Sequence, residues 1–135
     1  MSDVDVLRTV IKAVGEMLPG VRVGERLPDE KDLIGAKPCV VIDLLPGDEL
    51  SVSWGGSGMP AMRDLVSLDV EVFAPSRAAA VPVADRVRAA LHQLPYLAGT
   101  GVTSVECPRL STREDLNPRV RVLGVVCDLV LHADS

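Results

Sequence analysis

The chain has 135 residues, with 14 Lys and Arg against 19 Asp and Glu for a net charge of −5, a length that makes one ordinary domain able to bury a core without staples. Valine, leucine and alanine supply almost all of its apolar content, and Trp54, Phe73 and Tyr96 are its only aromatic residues, so the core is built from small branched side chains. The acidic balance argues against a protein that grips nucleic acid by its phosphates, which needs a basic footprint. No apolar run approaches the roughly twenty residues needed to span a bilayer, and the acidic start MSDVDV carries no conventional export signal.

Taken in order, the chain opens with Ser2 as a helix N-cap and Asp5 three residues on as a weaker capping-box acid. Leu7, Ile11, Val14 and Leu18 follow at helical spacing, and Pro19 and Gly20 stop the helix, predicting a helix from about Asp3 to Leu18. Val21 and Val23 flank Arg22 in a short alternating run, a first strand ending at Pro28. PDEKDLIGAKP reads as an exposed loop. CVVIDLL, from Cys39 to Leu45, is apolar except for Asp43 and is bounded by prolines, which suggests a strand covered on both faces or lying at the centre of a sheet.

Between Pro46 and Met62 lies GDELSVSWGGSGMPA. Its glycines invite a phosphate-loop reading, but WGGSGMP lacks the Lys-Ser/Thr ending and does not lead from a strand into a helix. Two readings stand for this long hairpin loop: a flexible surface excursion, or a loop that docks on a partner with Trp54 and Met59 as apolar anchors.

From Met62 to Phe73, Val66, Leu68, Val70 and Val72 alternate with Ser67, Asp69 and Glu71, the period of a half-buried strand. Asp69 and Glu71 could be mistaken for a catalytic pair, but a solvated or interface-facing strand side explains them more cheaply. Ala80, Val83, Val87, Leu91 and Leu94 then recur at helical spacing. Pro82 lies too deep for a helix begun at Ser76, so the helix either begins near Val81 with Pro82 at its first position or has a kinked first turn. Pro95 ends it.

GVTSVECPRL supplies a strand from about Val102 to Arg109, STREDLNP a polar turn, and the stretch from Arg119 to Ala133 the last strand. The apolar alternation of that strand changes face near Gly124, which suggests a bulge or sharp bend. His92 and His132 read as solvent-facing. Cys39, Cys107 and Cys127 are an odd number, each in a predicted strand and none with a CxxC partner or a nearby histidine. They read as buried small apolar residues in a reducing cytoplasm, not as metal ligands.

The order helix, weak strand, strand, long loop, strand, helix, strand, strand predicts a single α+β domain over residues 1–135. Its architecture is a two-layer sandwich in which a mostly antiparallel sheet of about four to five strands carries two helices on one face. No internal repeat, linker or low-complexity tract divides it.

The strand KPCVVIDLLPG, the Gly-rich excursion, the long strand MRDLVSLDVEVFAPSRAAA and the helix VADRVRAAL, closed by a terminal hairpin, resemble the tail terminator proteins of long-tailed bacteriophages. The likeness is closest to those of phages with high-GC actinobacterial hosts. It covers nearly the whole chain, and its strongest cue is the strand running into FAPSRAAA and on to ADRVRAAL. The resemblance implies a ring, usually of about six copies, that caps the completed tail tube, stops further tube subunits from adding and offers a surface to the neck of the filled head. It also implies that DNA passes through the lumen without specific binding. The partners expected are other copies of the chain, the major tail tube protein and a head-closure or neck protein. No enzyme activity, cofactor, metal or membrane is expected, and the location implied is the virion neck after assembly in the host cytoplasm.

On this view Trp54, Met59, Arg113 and Asp115 are candidates for the subunit or tube interface, and Asp48 and Glu49 for acids lining a lumen that repels phosphates. The rival readings are another neck component, such as a head-closure or connector protein, and a small ligand-binding or enzymatic α+β domain with a site near Trp54. The scarcity of aromatics and of clustered His, Cys or paired acids counts against the second. A nucleic-acid-binding module is disfavoured by charge and by the lack of stacking residues.

Overall fold

The computed structural model describes residues 3–26, 38–45, 63–115 and 120–132. In chain order these form helix α1 (Asp3–Met17), strands β1 (Arg22–Gly24), β2 (Cys39–Leu44) and β3 (Arg63–Ala74), helix α2 (Arg77–Gln93), a 3-10 turn (Leu94–Tyr96), and strands β4 (Val102–Glu106), β5 (Ser111–Thr112) and β6 (Arg121–His132). The fold is α+β, with one open mixed sheet of six strands ordered β1-β2-β3-β6-β4, and β5 paired to β6 beside β4. Every pairing is antiparallel except β1 with β2. The sheet exceeds the expected four to five strands through its shortest members, a three-residue β1 and a two-residue β5. The latter lies inside the segment expected to be a polar turn.

The centre of the sheet is β3 against β6, paired without interruption from Arg63↔His132 to Ala74↔Arg121. Because strand side chains alternate between faces, this register puts Val66, Leu68, Val70 and Val72 on the same side as Leu123, Val125, Cys127 and Leu129. These residues join Val40 and Ile42 of β2, Val6, Val10 and Val14 of α1, and Ala80, Val83, Val87 and Leu91 of α2 in a single buried cluster. Both helices thus bury their apolar stripes against that face of the sheet. The α1 stripe is turned slightly from the expected one, since Val6 and Val10 are fully buried while Ile11 is only half-buried. The N-cap assigned to Ser2 lies outside the described residues.

Of the two readings left open at Pro82, the start near Val81 is overturned: helix α2 begins at Arg77. Ser76 is the N-cap, in extended geometry, and its side chain accepts a hydrogen bond from the Ala79 amide at 3.1 Å. Pro82 sits inside the helix, where its missing N–H leaves the Ala78 carbonyl without an intrahelical donor. Ala78, Val81 and Pro82 all lie on the exposed side, so water can satisfy that carbonyl and the stripe facing the sheet is undisturbed.

At the other end, β4 stops at Glu106 rather than Arg109, because Pro108 cannot donate to a ladder. The register irregularity in the sheet falls in β4 between Val102 and Ser104. It does not fall at Gly124, where the pairing with β3 is continuous.

Two substitutions test this packing. Leu68→Ala, at a site with no exposure, should cost about 2–5 kcal/mol through the lost burial and the cavity left behind. Ser76→Ala should cost about 1 kcal/mol. Urea titration followed by circular dichroism measures both, and equal effects from the two would contradict the assigned roles.

Candidate functional site: the outer face of the sheet

The face turned away from the helices is laid out by the same registers. At one end Cys39 stands opposite Phe73, and Phe73 opposite Val122. These three and Val120 make a small second apolar cluster with Val41 packed against it, so the single phenylalanine of the chain, 4% exposed, is buried on the side away from the main core. Burial pushes the Cys39 thiol up, partly offset by the charge of Arg22.

In the middle of this face Glu71 stands opposite Gly124 and Asp69 opposite Val126. Just past β5, the Arg113 amide donates to the Val122 carbonyl at 2.9 Å, which fixes the arginine beside β6. Its side chain crosses the β6 backbone at Gly124 to reach β3. There Nη1 donates to Asp69 Oδ2 at 3.1 Å, Nη2 pairs with Asp69 Oδ1 at 2.9 Å, and Nη1 also lies 3.1 Å from Glu71 Oε2. This is a two-pronged arginine–carboxylate pair with a second carboxylate at its edge, the geometry in which Arg is most specific.

The side chains of Arg113, Asp69 and Glu71 are 31%, 29% and 28% exposed, so the pairing is only partly screened by water. The hydrogen bond to Asp69 is the main cause holding the Arg113 guanidinium above its ordinary value. Gly124 is what allows the crossing. A Cβ there would fall 2.5 Å from Arg113 Cζ and 2.6 Å from Cδ, so the arginine side chain would have to leave its path across β6.

Toward the other end the outer face is acidic. Asp43 is opposite Asp69 and Glu106 is opposite Asp128, two like-charged cross-strand pairs of a kind that costs stability. One member of each is held: Asp69 by Arg113, and Asp128 by Ser67, whose hydroxyl donates to Oδ1 at 2.6 Å. Asp43 and Glu106 remain exposed, and Val126, 39% exposed, lies on the same face.

A cleft of about 590 Å³ opens beside this clasp of Arg113 on Asp69 and Glu71, between the start of α2 and the β5–β6 segment. Its three arginines are all engaged: Arg77 with the Thr112 hydroxyl, Arg113 with its two carboxylates, and Arg121 with Asp115 at 2.6 Å. Carboxylates thus meet Arg113 and Arg121, whereas Arg77 meets only a neutral hydroxyl. Among the described residues no three His, Cys, Asp or Glu side chains are grouped to hold a metal ion, and no helix is long and apolar enough to cross a membrane.

Of the residues singled out from the sequence, Arg113 and Asp115 are described, and each is engaged within the chain. Trp54, Met59, Asp48 and Glu49 lie outside the described residues. Asp69 and Glu71 are not a free solvated pair, since both are engaged by Arg113. His92 is half-buried instead of solvent-facing, its Nε2 lying 3.2 Å from the Cys107 carbonyl oxygen, to which Arg88 Nε also donates at 2.8 Å. The side chain of His132 is not described. The sequence signal for the clasp was the pair of acids two apart on one strand face, together with a glycine in the facing strand. Searched against protein-family models and against curated proteins, the chain matches none.

Arg113→Ala should destabilise the fold by about 1–2 kcal/mol, less at high salt. Gly124→Ala should do much the same by evicting the guanidinium. In an Arg113→Ala background, however, Gly124→Ala should become neutral or stabilising, because alanine is then the better strand residue. A double-mutant cycle by chemical denaturation measures this, and additive costs would refute the crossing as the reason for the glycine.

Proposed function

We propose that this chain is a structural subunit of the neck of a long-tailed bacteriophage, a tail terminator that closes the finished tail tube as a ring and joins it to the head. The observation that carries the reading is the resemblance of MRDLVSLDVEVFAPSRAAA and VADRVRAAL to that family. Here those segments are the sheet's central strand and the helix packed on it, joined by the turn that holds the Ser76 cap.

The build of the outer face supports it. Its charged groups near the centre are spent on one another, which gives a stiff surface with acids and Val126 at one end. The sheet also ends in the short strands β1 and β4, whose outer backbone groups suit strand-to-strand contact between subunits. In this reading copies of the chain meet through the sheet edges and the excursion bearing Trp54 and Met59, with Arg113 and Asp115 stiffening the neighbouring turn. Asp48 and Glu49 line the lumen, where the net charge of −5 favours passage of DNA over capture. The tail tube and the head-closure protein are the other partners.

Disrupting the gene in its phage tests the assignment. The expected lysate holds filled heads unjoined to tails, and tubes of uncontrolled length, and wild-type protein supplied in trans restores normal virions. Tubes of normal length lying free beside leaking heads would instead make the chain a head-closure component. Intact infectious virions would remove it from the neck altogether.

A further inference from the structure

The last register pair between β4 and β6 joins Glu106 to Asp128. The ladder ends there; continued by one residue, the same register would bring Cys107 opposite Cys127. Since Glu106 and Asp128 lie on the outer face, both cysteines turn inward. Residues directly opposite in an antiparallel pair have Cα atoms about 4.5–5.5 Å apart, inside the roughly 4.4–6.8 Å that a disulfide spans. Both are free thiols buried in the main core cluster, at 3% and 0% exposure.

The two thiols also sense each other. Hydrogen bonding with Cys127 pulls Cys107 down, while the same contact, followed by burial, pushes Cys127 up.

The pair is asymmetric in access. Cys127 lies within β6, whereas Cys107 begins the irregular connection to β5 and is followed by exposed Pro108 and Arg109. Arg88, donating to the Cys107 carbonyl at 2.8 Å, adds positive charge on that side, which favours a thiolate there.

We propose that Cys107 and Cys127 form a thiol oxidation site, converted by a low-molecular-weight disulfide into an intramolecular disulfide that closes the chain between them into a covalent loop. The Cys107 thiolate, exposed by local opening of residues 107–110, attacks one sulfur of the small disulfide and expels a thiolate, forming a mixed disulfide. Cys127, having given up its proton, attacks the Cys107 sulfur and expels the second thiolate. The protein loses two electrons and two protons, and the small disulfide leaves as two thiols. The closed loop contains β5, Arg113 and Asp115, so oxidation ties to β6 the segment that carries the clasp. This site does not depend on the assignment to a phage tail.

The test treats the full chain with oxidised glutathione and reads the intact mass and the digested peptides. The expected product is lighter by about 2 Da, has two fewer alkylatable thiols, yields a peptide linking Cys107 to Cys127 with Cys39 still free, and reverts with dithiothreitol. Cys39→Ser should oxidise identically, and Cys127→Ser should stop at the glutathione adduct on Cys107. An unchanged mass, a bridge through Cys39 or an adduct confined to Cys39 would overturn the proposal. The wild-type and Cys39→Ser measurements decide it even where the core variant fails to fold.

Discussion

The structure depends on the unbroken antiparallel pairing of β3 with β6, twelve residues against twelve. A strand has two faces and a period of two, so a slip of one residue would turn every buried valine and leucine of β6 outward. The helix-facing side holds the register in place, because Leu68, Val70, Cys127 and Leu129 are all within the core. Everything on the other side follows from that choice. Gly124 has no freedom to lie elsewhere than opposite Glu71, and Asp128 none to avoid Ser67 and Glu106.

That constraint explains the charge chemistry of the outer face. Two acids two residues apart on one strand, with a third opposite one of them on β2, would repel if left alone. Arg113 resolves this with one guanidinium that reaches over a backbone lacking a side chain. The arrangement is a local solution to a problem the core creates, since the residues that must face inward on β3 force Asp69 and Glu71 to share the opposite face.

Much of the fold was legible in the sequence because its two periods are clean. The stripe from Ala80 to Leu94 and the alternation from Val66 to Val72 are both buried as expected, and they define the two layers. The errors share one cause, local patterns read without their partners. Around Gly124 the outward residues Val122 and Val126 are apolar too, so the strand seems to change phase; β3 shows that it does not. Pro82 leaves the helix start undecided between Ser76 and Val81, and the Ser76 cap and the exposure of Ala78 and Pro82 settle it for the earlier one. β5 is two residues long inside a polar stretch, and only its pairing with β6 reveals it, so Arg113 could be picked out as a turn residue but not given its partners. His92 likewise meets Cys107, fifteen residues away, through a packing of α2 on the β4–β5 connection that no local pattern encodes.

The excursion between β4 and β6 returns to the same strand from both sides. On the outer face it is anchored by Arg113 lying across Gly124, and on the inner face by Cys107, buried in the core cluster with Cys127, three residues beyond Gly124 on β6. An ion pair that is about a third exposed weakens with salt, whereas a buried thiol contact responds to oxidant and is indifferent to salt. One segment is thus held by two attachments of unlike chemistry on opposite faces of one strand. Loosening the first leaves the second in place, because the core cluster keeps Cys107 inward whatever the guanidinium does. The order of dependence therefore runs from the core outward: register fixes the glycine, the glycine admits the arginine, and the arginine sets the charge of the outer face.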